Sequence, residues 1–272
     1  MSSIASAGEA GAAAPRSMIR AVALPTEHGG WGLTAEPVLL GLLVSPSAAG
    51  ILLGAVALVG FLARTPLKLA LVDHRRHRRL ARTAVAQGVA VAELAVFGAL
   101  LAGVALRAGG SWWLPLAAAI PCVAVEMWFD IRSRSRRLTP EICGAVGIAS
   151  TAAAIARAGG AGWAVAIGLW VVLAARSIGT IPVVRAQVRR ARGHAVGTGR
   201  LWVPQAIAVA MGISAWSAGA LPLASVAFLI ALSGWSLWSL RLPPFPVKVL
   251  GVSQMAIGVA LVLVTATALR LV

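Results

Sequence analysis

RTPLKLALVDHRRHRRLART, Arg64 to Thr83, sits between two long apolar runs and carries seven cations: Arg64, Lys68, Arg75, Arg76, Arg78, Arg79 and Arg82. Basic loops of this kind are retained in the cytosol, so this stretch fixes which side of a membrane every other segment faces. Working outward, the remaining apolar runs are about twenty residues long and are separated by further basic loops. With 59% hydrophobic residues, 12% charged residues and a net charge of +16, the chain is too continuously apolar for a soluble domain with one core. The fold class it predicts is all-α, a polytopic integral membrane helix bundle. Charge dispersed in short loops, rather than gathered on one soluble face, excludes nucleic acid as the partner.

The runs predict nine transmembrane helices, at Gly30–Val44, Ser47–Leu62, Ala84–Leu106, Trp112–Phe129, Pro140–Ala156, Gly162–Pro182, Leu201–Ala218, Leu223–Leu240 and Val249–Leu271. Of the 24 Lys and Arg, only Arg107, Arg157 and Arg270 then fall on the outer side. That asymmetry predicts an inner-membrane, multi-pass topology with the N-terminus in the cytosol and the C-terminus outside. Residues 1–24 are expected to be a disordered, uncleaved tail ending in a short surface helix, and residues 25–272 a single transmembrane domain. Cys122 and Cys143 lie in apolar runs and read as buried thiols, with no metal spacing around them. Trp31, Trp112, Trp113, Trp163 and Trp202 read as interfacial belts, and Trp235 and Trp238 as packing.

Only eight residues are acidic, so each can be weighed singly. Glu36 and Glu93 lie inside helices with no basic residue three or four positions away, which makes them candidate ligand-binding or proton-relay groups at bilayer depth. Glu126 and Asp130 share a helical face and can pair with Arg132 or Arg134, and Glu141 favours a helix start. Asp73 and His77, four apart, are expected on one face, as are Arg64 and Lys68. Arg64, Lys68 and Arg176 suit a phosphate, because Arg binds it bidentately and Lys as a point charge. Glu27, His28 and Asp73 are the candidate acid–base groups. Together these residues predict a polar cavity open to the cytosol.

The stretches Pro25-Thr26-Glu27-His28-Gly29-Gly30-Trp31, Glu36-Pro37, Leu39-Leu40-Gly41-Leu42-Leu43 and Ala63-Arg64-Thr65-Pro66-Leu67-Lys68 closely resemble the YwiC-like bacterial membrane proteins. That resemblance implies a bacterial inner-membrane protein and leaves its activity open. A more distant similarity is to the UbiA-type intramembrane prenyltransferases, which have nine helices, an inner N-terminus and Asp-rich loops that hold a metal-bound isoprenoid diphosphate. Asp73 stands where the first acid of that family lies, and Arg82-Thr83 resemble the Arg-Thr that follows it. Val72 and His77 depart from the pattern, and residues 176–200 contain no acid. No cofactor is therefore expected, since Mg²⁺ is held through carboxylates as well as substrate phosphates. The resemblance implies an anionic isoprenoid or lipid phosphate as ligand, with membrane lipids as partners. A small-solute or ion transporter and a non-catalytic accessory protein are the alternatives, and oligomeric state is not legible.

Overall fold

The structure, a computed structural model, describes residues 18–25, 28–78, 80–134 and 136–271, and His28 by its backbone alone. Among the described residues nine helices of 16 to 29 residues follow one another. They are α1 (His28–Val44), α2 (Ala48–Arg75), α3 (Ala81–Ala105), α4 (Leu114–Ile131), α5 (Leu138–Ala158), α6 (Trp163–Ala191), α7 (Trp202–Ser217), α8 (Leu223–Ser239) and α9 (Val247–Arg270). Six of them, α2 to α6 and α9, are long and apolar enough to cross a membrane. The chain is thus an all-α, multi-pass membrane protein. Residues 18–23 add a short helical segment before α1.

Two boundaries differ from expectation by more than one turn, and both differences bear on the site. The second helix does not end at Leu62 but continues to Arg75, and the sixth runs past Pro182 to Ala191. Pro66 and Pro182 lie inside these helices, where each removes one backbone donor without ending the run. The cations beyond them stay helical because they meet partners on neighbouring helices. Most of the stretch from Arg64 to Thr83 is therefore helix, since α2 ends at Arg75 and α3 begins at Ala81. His77 sits between the two at φ 52°, so the helical face expected to join it to Asp73 does not exist.

α5 and α6 pack on each other at the centre. From Ala149 to Ala156 every α5 residue is buried, and all but Ile155 are Ala, Ser or Thr. Small side chains let helices approach on several sides at once, which is how membrane bundles gain packing where lipid offers no hydrophobic contrast. α1, α2, α4 and α6 all contact α5, while α7, α8 and α9 complete the far side of α6. α3 packs against α2 alone. Large apolar side chains such as Val91, Ile120, Trp216 and Ile230 remain exposed on the outside, as a lipid-facing surface requires. Trp112 is buried rather than interfacial, whereas Trp235 and Trp238 lie exposed beside each other with ring centroids 5.2 Å apart.

Hydrogen bonds tie the basic helix ends to one another. Arg75 reaches the Ile131 carbonyl at 3.2 Å, Arg185 the Arg136 carbonyl at 3.0 Å, and Arg190 the Leu240 and Leu242 carbonyls at 2.9 and 3.1 Å. At the opposite end, Arg270 reaches the Leu43 carbonyl and Arg157 that of Ala161. Near that end a Cβ on Gly168 of α6 would collide with the backbone carbonyl of Ala220. Gly168→Ala is therefore expected to lower thermal stability by about 1–3 kcal/mol, the usual cost of overpacking. Thermal unfolding of the purified protein in detergent measures it.

Candidate functional site: charged seams between the helices

Successive turns place Arg64, Lys68 and Arg75 along one side of α2, facing α4. On α4, Glu126 and Asp130 are one turn apart and point back. Arg64 Nη2 lies 2.8 Å from Glu126 Oε1, Arg64 Nε 2.9 Å from Asp130 Oδ2, and Lys68 Nζ 3.3 Å from Asp130 Oδ1. The Asp130 side chain is fully buried, while Arg64 and Lys68 keep about a third of their surface. Sequence proximity suggested Arg132 and Arg134 as partners for these acids, but the partners are the two cations expected to face a phosphate.

Further toward the basic end the seam becomes wholly cationic. Arg76 Nη2 donates to Ser133 Oγ at 3.0 Å, and the Arg132 guanidinium lies 3.5 Å from the centroid of the Trp128 ring. Arg75, Arg132 and Arg134 line a cavity of about 260 Å³. Two of its three guanidinium groups are pinned, Arg75 by the Ile131 carbonyl and Arg132 by the indole face.

Asp73, near the end of α2, is buried. Thr83 donates to its Oδ2 at 2.8 Å, and Arg82 Nη2 lies 3.4 Å from its Oδ1. Thr83 Oγ1 also accepts from the Leu80 amide at 3.1 Å, so one side chain caps α3 and holds the turn against α2. The Arg-Thr that follows Asp73 thus serves to fasten the carboxylate. Among the described residues no three His, Cys, Asp or Glu side chains come together as a metal site. With both its oxygens engaged and no companion acid among the described residues, Asp73 does not fit a Mg²⁺–diphosphate centre.

A second seam crosses the middle of the bundle. Arg176 of α6 donates from Nη1 to Glu36 Oε2 of α1 at 2.8 Å, and from Nη2 to the Gln254 carbonyl of α9 at 2.6 Å. Both side chains are buried. One turn past Gln254, a Cβ on Gly258 would run into the Glu36 carboxylate, so α9 approaches this closely only because it has none. Glu36 lacks a basic neighbour in sequence; its partner lies 140 residues away.

The structure brings Arg64 and Lys68 onto the acids of α4 and Glu36 onto Arg176, and α2, which carries the first set, does not contact α6, which carries Arg176. Glu93 lies on peripheral α3, which does not touch α1, and its Oε2 is buried without a hydrogen-bond partner. Glu27 and the His28 side chain lie outside the described residues. Sequence reasoning missed the pairing of Arg185 with Glu141, across α6 and α5, and the partner of the buried Gln205, which donates to the Gly179 carbonyl. For Gln205 the signal was a lone polar residue in an apolar run, which announces a partner without saying which, and the Arg185–Glu141 pair lies among other charges with no such signal.

Removing one member of a buried ion pair strands the other charge, at about 3–5 kcal/mol, whereas replacing both with apolar residues is often neutral. Arg176→Met and Glu36→Leu are each expected to destabilise by that amount, and the double variant to recover most of it. A double-mutant cycle of thermal unfolding in detergent would show additive losses if the pair were not coupled.

Residues 24–156 match the family described as YwiC-like protein, so the similarity covers the segment from just before α1 into the last turn of α5 and includes the whole α2/α4 seam. Neither a curated protein nor a solved structure matches the chain.

Proposed function

We propose that this is an inner-membrane protein that binds an anionic amphiphile, an isoprenoid or other lipid phosphate, at the cytosolic end of the α2/α4 seam. The observation that carries the reading is the cavity lined by Arg75, Arg132 and Arg134. Three guanidinium groups around one concavity repel one another in the absence of an anion, and a phosphate would accept charge-assisted hydrogen bonds from all of them. Deeper in the seam, Arg64 and Lys68 are balanced by Glu126 and Asp130. A headgroup reaching them would share those cations rather than find them vacant.

This reading puts the basic ends in the cytosol, with the N-terminus inside and the C-terminus outside. It asks α1, α7 and α8, of 16 or 17 residues, to cross as well, giving nine spans and a UbiA-like layout. At 1.5 Å per residue they cover about 24–26 Å of a ~30 Å hydrocarbon layer, a mismatch that local thinning absorbs at modest cost. Turnover of the bound amphiphile would fall to Glu27 and His28, because Asp73 is already committed to Thr83 and Arg82. The transporter alternative needs Glu36 and Glu93 on one path, and their helices do not touch.

Lipid mass spectrometry on the detergent-purified protein tests the reading. A phosphate lipid is expected to co-purify and to fall at least about tenfold in an Arg132→Ala/Arg134→Ala variant. Both residues are exposed, so stability should change by no more than about 0.5 kcal/mol. Equal phosphate-lipid loads in parent and variant would overturn it, and the absence of any selective lipid would favour an accessory protein.

A further inference from the structure

A larger cavity, of about 550 Å³, lies among α6, α8 and α9, clear of the α2/α4 seam and bordered on one side by Gln254, whose carbonyl accepts from Arg176. It exists because α6 and α9 touch only sparsely while α8 spans between them. Its volume falls within the ~300–1,000 Å³ common for small-molecule sites. Phe228, Leu232, Trp235, Phe245 and Ile257 give it apolar walls. No ionised side chain lines it; the polar groups there are hydroxyls and amides, among them Gln187, Ser236 and Ser239 near the basic end.

Gln187 is 1% exposed, and its hydrogen bonds orient it. Nε2 donates to Ser239 Oγ at 2.8 Å, and Ser239 Oγ donates its one proton to the Ser236 carbonyl at 2.7 Å. In this arrangement Ser239 spends its proton on Ser236, so the Gln187 amide meets it with its NH₂ and turns Oε1 away. Oε1 is then a buried acceptor without a donor. Such groups are uncommon in native proteins and call for a partner that the chain itself does not supply.

We propose that this cavity is a second lipid site, and that its occupant is an uncharged long-chain alcohol whose hydroxyl donates to Gln187 Oε1 while its chain runs toward Phe228 and Ile257. A phosphate is the wrong head: it supplies acceptors where a donor is needed. Arg190, three positions beyond Gln187, commits its guanidinium to the Leu240 and Leu242 carbonyls. Trp235 is both a cavity wall and 47% exposed on the outer surface, which gives a route from the bilayer beside α8. The site is independent of the lipid-phosphate reading and stands or falls separately.

The test uses a diazirine-bearing hexadecanol on the purified full-length protein, with hexadecanol, its methyl ether and hexadecyl phosphate as competitors. Cross-links are expected on peptides of α6, α8 and α9. Hexadecanol should compete at least about fivefold better than the ether, the size of one net hydrogen bond, and the phosphate should not compete. Gln187→Met should keep the labelling and lose the preference for alcohol over ether. Ala231→Trp, which fills the cavity from an exposed wall position, should abolish labelling without changing elution on gel filtration. Labelling elsewhere, equal competition by ether or phosphate in the parent, or unchanged labelling of the Ala231→Trp variant would overturn the proposal.

Discussion

The buried guanidinium of Arg176 sits on the longest helix, and two other helices are arranged around the need to keep its charge accompanied. α1 supplies Glu36, α9 supplies a backbone carbonyl already inside a helix, and Gly258 removes the side chain that would keep them apart. Without water to solvate it, an ion inside a bilayer must be paired, so the pair dictates how α1, α6 and α9 meet. Such a pair adds little net stability compared with an apolar contact. What it contributes is selection: a slip of α1 against α6 would strand a charge, and a slip of α9 would bring a side chain in place of Gly258 against the Glu36 carboxylate.

The same logic repeats at the α2/α4 seam with the opposite charge at its centre. Asp130 is the buried ion there, and Arg64 and Lys68 reach it from one face of α2. These contacts explain why α2 extends past Pro66. An unpaired Arg64 would do better in a loop near water, whereas Arg64 bound to two carboxylates holds the helix together for another three turns. The basic residues that keep this end in the cytosol in the proposed topology are thus partly consumed in joining helices. Only those beyond Asp130 face a cavity without a carboxylate among its lining groups.

The helical, membrane-spanning character of the chain was legible because apolar runs of about twenty residues have few other outcomes. Glu36 stood out in the sequence because a charge inside such a run is costly, whereas Arg64, Lys68 and Arg176 were singled out as cations suited to a phosphate. Their partners were not legible. Glu36 and Arg176 are brought together by the packing of α1 against α5 and α6, a tertiary fact with no local signature. The helix ends at Arg75 and Ala191 were misread because a run of cations resembles a loop when its ion-pair partners lie on another segment. The α6/α8/α9 cavity was invisible, since it arises from how far two helices diverge and from the orientation of one amide.

These two kinds of polarity impose different chemistry on any occupant. The charged seams are nearly self-satisfied, and a ligand entering them must compete with carboxylates for the same cations, which favours a multiply charged head that can bridge several arginines at once. In the α6/α8/α9 cavity the polar groups are neutral and one acceptor is unmatched, so a single hydroxyl completes the network where a charge would have to be desolvated with no counter-ion. Lipids that differ only in whether the head is an alcohol or its phosphate ester would therefore be sorted to opposite sides of the α5/α6 core. That separation follows from the distribution of acids, because no Asp or Glu occurs after Glu141 and no buried cation beyond it except Arg176 requires one.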